Sequence, residues 1–463
     1  MHNLARELPL AQTEPAMRST PDVGAQRALL VAVEAEGSPW DAQTSLQELA
    51  GLCSSAGLEP VDEMWQRLAH PDPTHYVGKG KLEEVKERAA LGAVDAVVTD
   101  DELPPRAQKT LEDELGRRVI DRTTLILDIF AQHARSHEGR VQVELAQYEF
   151  LLPRLVGRGA MLSRLGGGIG TRGPGETRLE VDRRRVRQRI TTLKREIDEI
   201  REHRRRSRQR RRQQAMPLVA LVGYTNVGKS TLLSALTGSE AYASDAPFVT
   251  LDPLTRLMTL ESGQQVLVSD TVGFIAKLPP TVVAAFRATL EELEEADLLV
   301  HVVDITDPHA PESNAIVHEI LREIGLHKKP MITVINKIDA LGDSGGAIEP
   351  PPDPDTVPVS ARTGLGLDTL RARIEAKVNE GTPWVAARVP YARMDLVDLF
   401  HRRGHPVRVS YHPEGTEIEG LLPAHLVERF RPYLLARDPL LELHPAAPVA
   451  RDGRGLSRKP TRA

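Results

Sequence analysis

Residues 223–230, with the sequence GYTNVGKS, constrain the fold of this chain more than any other segment. They have the spacing of a phosphate-binding loop, in which four residues separate a glycine from Gly-Lys-Ser or Gly-Lys-Thr. Such a loop joins a β-strand to a helix, and its backbone N–H groups bind phosphate together with the positive end of the helix dipole. The strand-like run Leu218 to Val222 precedes the loop here. Alone, the loop fits an ATPase as well as a GTPase.

Three segments downstream are spaced as the remaining parts of a guanine-nucleotide site. Asp270 to Gly273 (DTVG) follows the strand-like run Gln265 to Ser269, and Asn336 to Asp339 (NKID) follows another, Met331 to Ile335. The segment Ser360 to Arg362 completes the set. Four elements in this order predict a GTP-hydrolysing switch protein on a mostly parallel, doubly wound α/β sheet.

The predicted nucleotide contacts follow from the chemistry of phosphate and guanine. Lys229 is expected to reach the β- and γ-phosphates, and the Gly273 N–H to sense the γ-phosphate. Asp339 is expected to accept hydrogen bonds from guanine N1–H and N2–H₂, which adenine does not offer. The predicted nucleotide-binding residues are Gly223, Tyr224, Thr225, Asn226, Val227, Gly228, Lys229, Ser230, Thr231, Asp270, Asn336, Lys337, Asp339, Ser360, Ala361 and Arg362.

Mg²⁺ is predicted to be held by the Ser230 hydroxyl, by Asp270 and by a threonine of the first switch. The segment Phe248 to Pro253 is the expected first switch and Thr250 its threonine, with Thr255 as the rival because switch loops carry no periodicity that fixes the register. The predicted catalytic residues are Lys229, Thr250 and Gly273.

Two residues bear on the rate of hydrolysis. Phe274 stands where many GTPases have a glutamine that orients the attacking water, which predicts slow intrinsic hydrolysis that needs a group supplied in trans or a cation. A nearby group such as Lys277 or a backbone carbonyl is the alternative. Asn226 stands where an asparagine can help to coordinate K⁺ beside the phosphates, so K⁺ is a possible second cation. The alternative is that Asn226 only stabilises the loop through side-chain to backbone hydrogen bonds.

The composition argues against a disulfide-linked protein, a cysteine metal protein and a membrane-spanning protein. The chain has 463 residues and a single cysteine, Cys53, so neither an intramolecular disulfide nor a cysteine metal cluster is expected. No apolar run approaches the ~20 residues that span a bilayer, so we expect no membrane span and a soluble, cytoplasmic protein. The net charge is −5, yet residues 151–215 hold 20 Lys and Arg against 7 Asp and Glu. This basic segment is a candidate contact for a polyanion.

Periodicity and composition predict six parts along the chain. Strands and helices alternate over the first third, and two helices with narrow apolar stripes follow, as in an antiparallel hairpin. The expected parts are a disordered lead (1–26), an N-terminal α/β domain (27–136), a helical hairpin with a Gly/Arg-rich loop and a basic helix (137–214), the nucleotide domain (215–382), a small C-terminal α/β appendage (383–440) and a disordered tail (441–463).

The hairpin is the predicted RNA-binding part. The stretch Arg183 to Arg212 carries 15 Lys and Arg, and it follows a loop, 157–175, rich in glycine and arginine. An isolated charge run is usually a solvated surface, but its place beside a protruding hairpin favours contact with the phosphates of structured RNA rather than base stacking. The predicted RNA contacts are Arg158, Arg164, Arg172, Arg178, Arg183, Arg184 and Arg185.

Several segments beyond the nucleotide motifs resemble the signatures of HflX-type GTPases, a branch close to Obg. They are Tyr76 to Lys81 (YVGKGK), Asp121 to Phe130 (DRTTLILDIF) and the glycine-rich Gly166 to Thr177, together with the two switch segments. The match covers roughly residues 27–433. A hydrophobic residue in place of the catalytic glutamine is typical of this family, as at Phe274.

The resemblance implies GTP and GDP as ligands and the large ribosomal subunit, its RNA and proteins, as the partner. It further implies that the ribosome stimulates hydrolysis and that the protein splits or rescues stalled ribosomes under stress. A ribosome-assembly GTPase for the large subunit and a nucleotide-regulated RNA-binding or RNA-remodelling protein are the alternatives. No DNA partner is expected, and the protein is expected to be a monomer.

Overall fold

The computed structural model describes residues 26–38, 40–155, 178–213, 216–239, 254–277, 279, 293–341 and 351–435. Several predicted features lie outside these residues: segments 1–25 and 441–463, the hairpin loop 157–175, Thr250, Arg158, Arg164 and Arg172. The chain divides into two compact units. The first comprises residues 1–206, 218–257 and 267–367, and the second comprises 207–217, 258–266 and 368–463.

The first unit opens with a parallel four-stranded sheet in the order β2-β1-β3-β4. Its central strands are short runs of buried aliphatic residues, as expected for strands covered by helices on both faces. Asp41 and Asp121 cap two of the helices by accepting from the N–H of Thr44 and Thr124. The elements are β1 (Gln26–Ala35), α1 (Ala42–Ser55), β2 (Leu58–Leu68), α2 (Lys79–Leu91), β3 (Ala96–Thr99), α3 (Pro105–Leu115), β4 (Arg118–Asp121) and α4 (Arg122–His133).

Two long helices follow, α5 (His137–Arg154) and α6 (Arg178–Gln213). Their apolar stripes meet in a cluster formed by Val141, Leu145, Leu193 and Ile197. His137 pairs with Glu196 at 3.0 Å, whereas Glu144, further along α5, pairs with Arg189 at 2.7 Å. The partners run in opposite directions, so the two helices are antiparallel, as the stripes predicted.

A six-stranded sheet in the order β10-β9-β8-β5-β7-β6 holds the nucleotide motifs. The pairs from β10 through β9, β8 and β5 to β7 are parallel. The fold class predicted from the sequence is thereby confirmed, although β6 was not foreseen. The elements are β5 (Leu218–Gly223), α7 (Lys229–Thr237), β6 (Leu254–Thr259), β7 (Gln265–Asp270), β8 (Leu298–Asp304), α8 (Ala310–Glu323), β9 (Met331–Asn336), β10 (Thr356–Pro358) and α9 (Leu367–Val378).

The C-terminal part of the second unit is a three-stranded antiparallel sheet in the order β11-β13-β12. Two helices cover it, and the rings of Phe400 and Phe430 meet edge to face with their centroids 5.4 Å apart. The elements are β11 (Trp384–Val389), α10 (Met394–Arg403), β12 (His405–His412), β13 (Gly415–Leu421) and α11 (Ala424–Phe430). Among the described helices of the whole chain, none is both long and apolar enough to cross a membrane.

Candidate guanine-nucleotide site

The phosphate-binding loop turns sharply between β5 and α7, and two glycines make the turn possible. A Cβ on Gly223 would lie 2.4 Å from the carbonyl oxygen of Val302, and one on Gly228 would lie 2.5 Å from Nδ2 of Asn336. Gly228 also has φ +91°, and Asn226 has φ +63°. Both angles lie in the left-handed region that glycine and asparagine tolerate best. The loop can therefore press its backbone against two neighbouring strands.

Lys229 begins helix α7 and is 7 % exposed. Its Nζ donates to the carbonyl oxygens of Gly223 at 3.1 Å and Tyr224 at 2.6 Å. Burial lowers the pKa of Lys229 to about 8, and the carboxylate of Asp270 opposes this shift. An ammonium group has three N–H donors, so two hold the lysine across its own loop and the third is left for an anion.

The hard oxygen donors that Mg²⁺ prefers lie beside this lysine. The Ser230 hydroxyl donates to Oδ2 of Asp270 at 2.6 Å, and Asp270 is completely buried at the end of β7. A hydroxyl and a carboxylate so close together suit a small divalent cation. Thr255, the rival switch threonine, lies in β6, and its hydroxyl donates to the Ser269 hydroxyl at 3.2 Å.

The segment after β7 lies directly on the phosphate-binding loop. The Phe274 N–H donates to the Gly223 carbonyl at 3.1 Å, and its carbonyl accepts from the Thr225 N–H at 2.8 Å. A Cβ on Gly273 would stand 2.9 Å from Cα of Thr225 and 3.1 Å from Nζ of Lys229. Only glycine fits this approach, which brings the main chain of residue 273 close to Thr225 and Lys229. The Phe274 side chain is buried, 4 % exposed, so it offers no contact to water.

The base-side segments meet at the carboxyl ends of β9 and β10. The buried Asn336 amide donates to the Val227 carbonyl at 2.8 Å and accepts from the Ala361 N–H at 3.0 Å, which ties the two loops together. Asp339 accepts from the Ser360 hydroxyl at 2.6 Å and pairs with Arg362. The serine hydrogen bond, followed by the Arg362 charge, lowers the pKa of the Asp339 carboxyl. The aspartate is thus held ionised as an acceptor.

One further predicted nucleotide contact, Lys337, and four of the predicted RNA contacts lie in the described part of the chain. Lys337 has φ +65°, and its Nζ pairs with Asp304 at 2.7 Å at the end of β8. Of the predicted RNA contacts, Arg178 begins α6, Arg183 is half-buried, and Arg184 and Arg185 are exposed.

A buried charged cluster next to this site was missed by the sequence reasoning. We call Glu48, Asp100 and Arg122 the N-terminal ionic cluster. Arg122 is 1 % exposed, pairs with Glu48, and pairs with Asp100 at 2.7 Å. The one signal in the sequence was an arginine directly before the mostly apolar stretch Leu125 to Phe130, where a buried guanidinium requires a partner.

The comparisons with known proteins agree with this geometry. Three family models match in succession: "GTP-binding GTPase N-terminal" over residues 43–131, "GTP-binding GTPase Middle Region" over 133–211 and "50S ribosome-binding GTPase" over 218–337. GTPase HflX of Caldanaerobacter subterraneus is 45 % identical over 411 residues, which are 89 % of this chain and 94 % of that protein. The chain belongs to the HflX family of GTPases.

Two other similar proteins are a bacterial relative and a solved archaeal structure. GTPase HflX of Escherichia coli is 42 % identical over 359 residues, 77 % of this chain and 84 % of that protein. A crystal structure of a GTP-binding protein from Sulfolobus solfataricus in complex with GDP is 26 % identical, covers 76 % of this chain and 99 % of that one, and superposes with a TM-score of 0.40.

Membership of the HflX family settles the activity, because the chain keeps every nucleotide motif described above. It binds guanine nucleotide and hydrolyses GTP. The predictions of the family, the fold class and the enzymatic activity are therefore confirmed.

Proposed function

We propose that this HflX-family GTPase binds the large ribosomal subunit and uses GTP hydrolysis to split or rescue stalled ribosomes under stress. The observation that supports the large subunit as the partner is the match of residues 218–337 to a family model described as a 50S ribosome-binding GTPase. The exposed guanidinium groups of Arg184, Arg185 and Arg187 on α6 suit ribosomal RNA, because phosphate contacts dominate such binding. The protein acts as a cytoplasmic monomer with the six parts predicted from the sequence.

In the proposed mechanism, the loop 223–231 surrounds the phosphates with backbone N–H groups. The third Nζ–H of Lys229 neutralises charge on the β- and γ-phosphates, and the Gly273 N–H reads the γ-phosphate. Ser230 and Asp270 hold Mg²⁺ together with Thr250 of the first switch. The ion, when bound, supplies charge stabilisation at the phosphate oxygens.

Base recognition is proposed to rest on Asp339. Its two carboxylate oxygens accept from guanine N1–H and N2–H₂, while Asn336 keeps the base-side loop at the phosphate-binding loop. Lys337 lies along the base, and the backbone of Ser360, Ala361 and Arg362 faces guanine O6. An adenine offers neither donor, so the half-buried carboxylate would lose both hydrogen bonds to the base, at a cost of about 1–3 kcal/mol or more.

We further propose that K⁺ bound near Asn226 supplies part of the transition-state charge, because Phe274 cannot orient water. Hydrolysis should then be at least about fivefold faster in K⁺ than in Na⁺ buffer of equal ionic strength. An Asn226→Asp variant tests whether the residue acts through its oxygen. Equal turnover in the two salts would leave Asn226 with a role in loop stability only.

The ribosome role is tested by GTP hydrolysis with and without purified large ribosomal subunits. We expect stimulation of tenfold or more, which corresponds to about 1.4 kcal/mol of barrier. Replacing Arg184, Arg185 and Arg187 by Gln should weaken the stimulation and leave basal hydrolysis unchanged, because these side chains lie on α6 and not at the nucleotide site.

The matched control replaces three exposed glutamates of α2, Glu83, Glu84 and Glu87, by Gln. It should leave the stimulation intact.

Splitting of mature vacant ribosomes supports the proposal. Association with precursor particles alone would favour an assembly role, and remodelling of free RNA without ribosomes would favour an RNA-remodelling role.

A further inference from the structure

The side chain of Tyr224 points away from the phosphate-binding loop that carries it. Its hydroxyl accepts from the Ala276 N–H at 2.7 Å and contacts the Glu48 carboxylate on α1. Its ring packs against Trp40, with the centroids 5.7 Å apart. One phenol therefore joins three segments that are far apart in the sequence: the phosphate-binding loop, the segment after DTVG and helix α1.

The direction of these hydrogen bonds follows from the donors present. A tyrosine hydroxyl has one proton and two acceptor positions. The Glu48 carboxylate offers only acceptors, so the hydroxyl donates to Glu48 and keeps its lone pairs for the Ala276 N–H. Glu48 in turn is paired with Arg122. The N-terminal ionic cluster thus determines which way the tyrosine proton points.

Arg122 and Asp100 also contact the segment after DTVG, at Ala276 and Lys277. Arg122 donates to the Ala276 carbonyl at 3.2 Å. The next residue, Lys277, pairs with Asp100 and, at 2.9 Å, with Asp101. Lys277 also has φ +53°, an angle that a lysine adopts only when its surroundings impose it. Both backbone groups of Ala276 and the side chain of Lys277 are therefore fixed.

The position of these acidic and basic groups follows from the fold. Asp100 comes directly after β3, and Arg122 directly after β4. Carboxyl ends of parallel strands share one edge of a sheet, the edge at which α/β proteins place functional side chains. Here that edge faces the segment that leads from Gly273 into Lys277.

We propose that the Tyr224 hydroxyl is a positioning group for GTP hydrolysis: with Arg122 it holds the main chain at Ala276 and thereby keeps Gly273 against the phosphate-binding loop. The inference rests on the proposed contact between the Gly273 N–H and the γ-phosphate. Only two residues lie between Gly273 and Ala276, so a shift at Ala276 displaces the N–H that must meet the γ-phosphate. Because Glu48 lies on α1, a movement of α1 would change the position of the Tyr224 hydroxyl and, through it, of Gly273.

The experiment compares Tyr224→Phe with the wild-type protein in steady-state and single-turnover hydrolysis, together with GDP binding. The phenylalanine keeps the ring against Trp40 and removes only the hydroxyl. We expect kcat to fall about fivefold or more. The dissociation constant for GDP should stay within about twofold, because GDP has no γ-phosphate for Gly273 to contact. A merely structural role would change both constants together or neither.

Two further variants make the outcome specific. Tyr391→Phe removes another tyrosine hydroxyl, which donates to the His412 carbonyl at 2.7 Å in the C-terminal sheet, and should leave kcat unchanged. Gly273→Ala should abolish most hydrolysis, because its Cβ would meet Thr225 and Lys229.

A kcat of Tyr224→Phe equal to or above the wild-type value would overturn the positioning role. If Gly273→Ala still loses activity in that case, only the part assigned to Tyr224 is wrong. If Gly273→Ala also hydrolyses GTP normally, the proposed γ-phosphate contact itself has failed.

Discussion

Replacing Arg122 by Met is expected to lower the free energy of unfolding by about 3–5 kcal/mol. The guanidinium is 1 % exposed and pairs with Asp100, which is completely buried, and with Glu48. Methionine fills much of the same volume but offers no donor. Asp100 then keeps Lys277 and the Ser45 hydroxyl, at 2.6 Å, as partners. Among the residues that the structure describes, Glu48 keeps Tyr224. Buried carboxylates that lose a cationic partner are costly because water cannot replace it.

The free energy of unfolding is measured by urea unfolding followed by far-ultraviolet circular dichroism. Hydrogen exchange of the β1 and β3 amides then shows whether the loss of stability lies in the N-terminal sheet. Arg88→Met is the matched control, since Arg88 pairs with Asp62 at 2.8 Å but both side chains are solvated, at 60 % and 35 % exposure. An exposed pair contributes about 1 kcal/mol or less. Equal losses in the two variants would mean that burial of the N-terminal ionic cluster adds nothing to stability.

The nucleotide motifs could be located from the sequence because each one is local. A strand, a tight turn and a helix start are adjacent in the chain, so a spacing of a few residues was enough to locate the loop and its lysine. The mostly apolar run Leu298 to Asp304 is typical of a covered strand, and it forms β8, whose first five residues are buried. The hairpin was equally readable, since its helices pack through stripes that recur every three or four residues.

Strand β6 escaped prediction for a physical reason. It lies at the edge of the six-stranded sheet, and of its six residues, Leu254–Thr259, only Met258 is fully buried. Leu254 and Leu257 are exposed, at 41 % and 46 %. An edge strand with apolar residues on its solvent side shows no alternation that a period of two would detect.

The N-terminal ionic cluster could not be assembled from the sequence because its members are distant in the chain. Glu48, Asp100 and Arg122 come from three segments, and Lys277, which pairs with Asp100, comes from a fourth. A single sequence holds no information about which charges pair. Lys277 was considered as a substitute for the missing glutamine. In the structure it pairs with Asp100 and Asp101, two charges that come from a distant segment of the chain.

Replacing Asp339 by Asn is expected to change the base that this GTPase accepts. Of the two charge-assisted hydrogen bonds to guanine, the one to N1–H loses its charge and the one to N2–H₂ is lost, because the asparagine NH₂ group would face another donor. The affinity for GTP should therefore fall about 100-fold or more. The asparagine oxygen still accepts from N1–H and from the Ser360 hydroxyl, which lies 2.6 Å from the native carboxylate. Its NH₂ group can donate to the carbonyl that xanthine carries at C2. Xanthosine triphosphate should therefore bind the variant better than GTP does.

Competition binding of the two nucleotides to the wild-type and variant proteins measures this exchange of preference. Asp368→Asn is the matched control, because Asp368 is 87 % exposed and pairs with Arg371 at 2.9 Å without a proposed part in base recognition. Hydrolysis of xanthosine triphosphate by the Asp339 variant would show that the phosphate side of the site is intact. Retained preference for GTP would contradict the role of Asp339. Loss of both nucleotides would instead mean that its pairs with Ser360 and Arg362 chiefly hold the base-side loop in place.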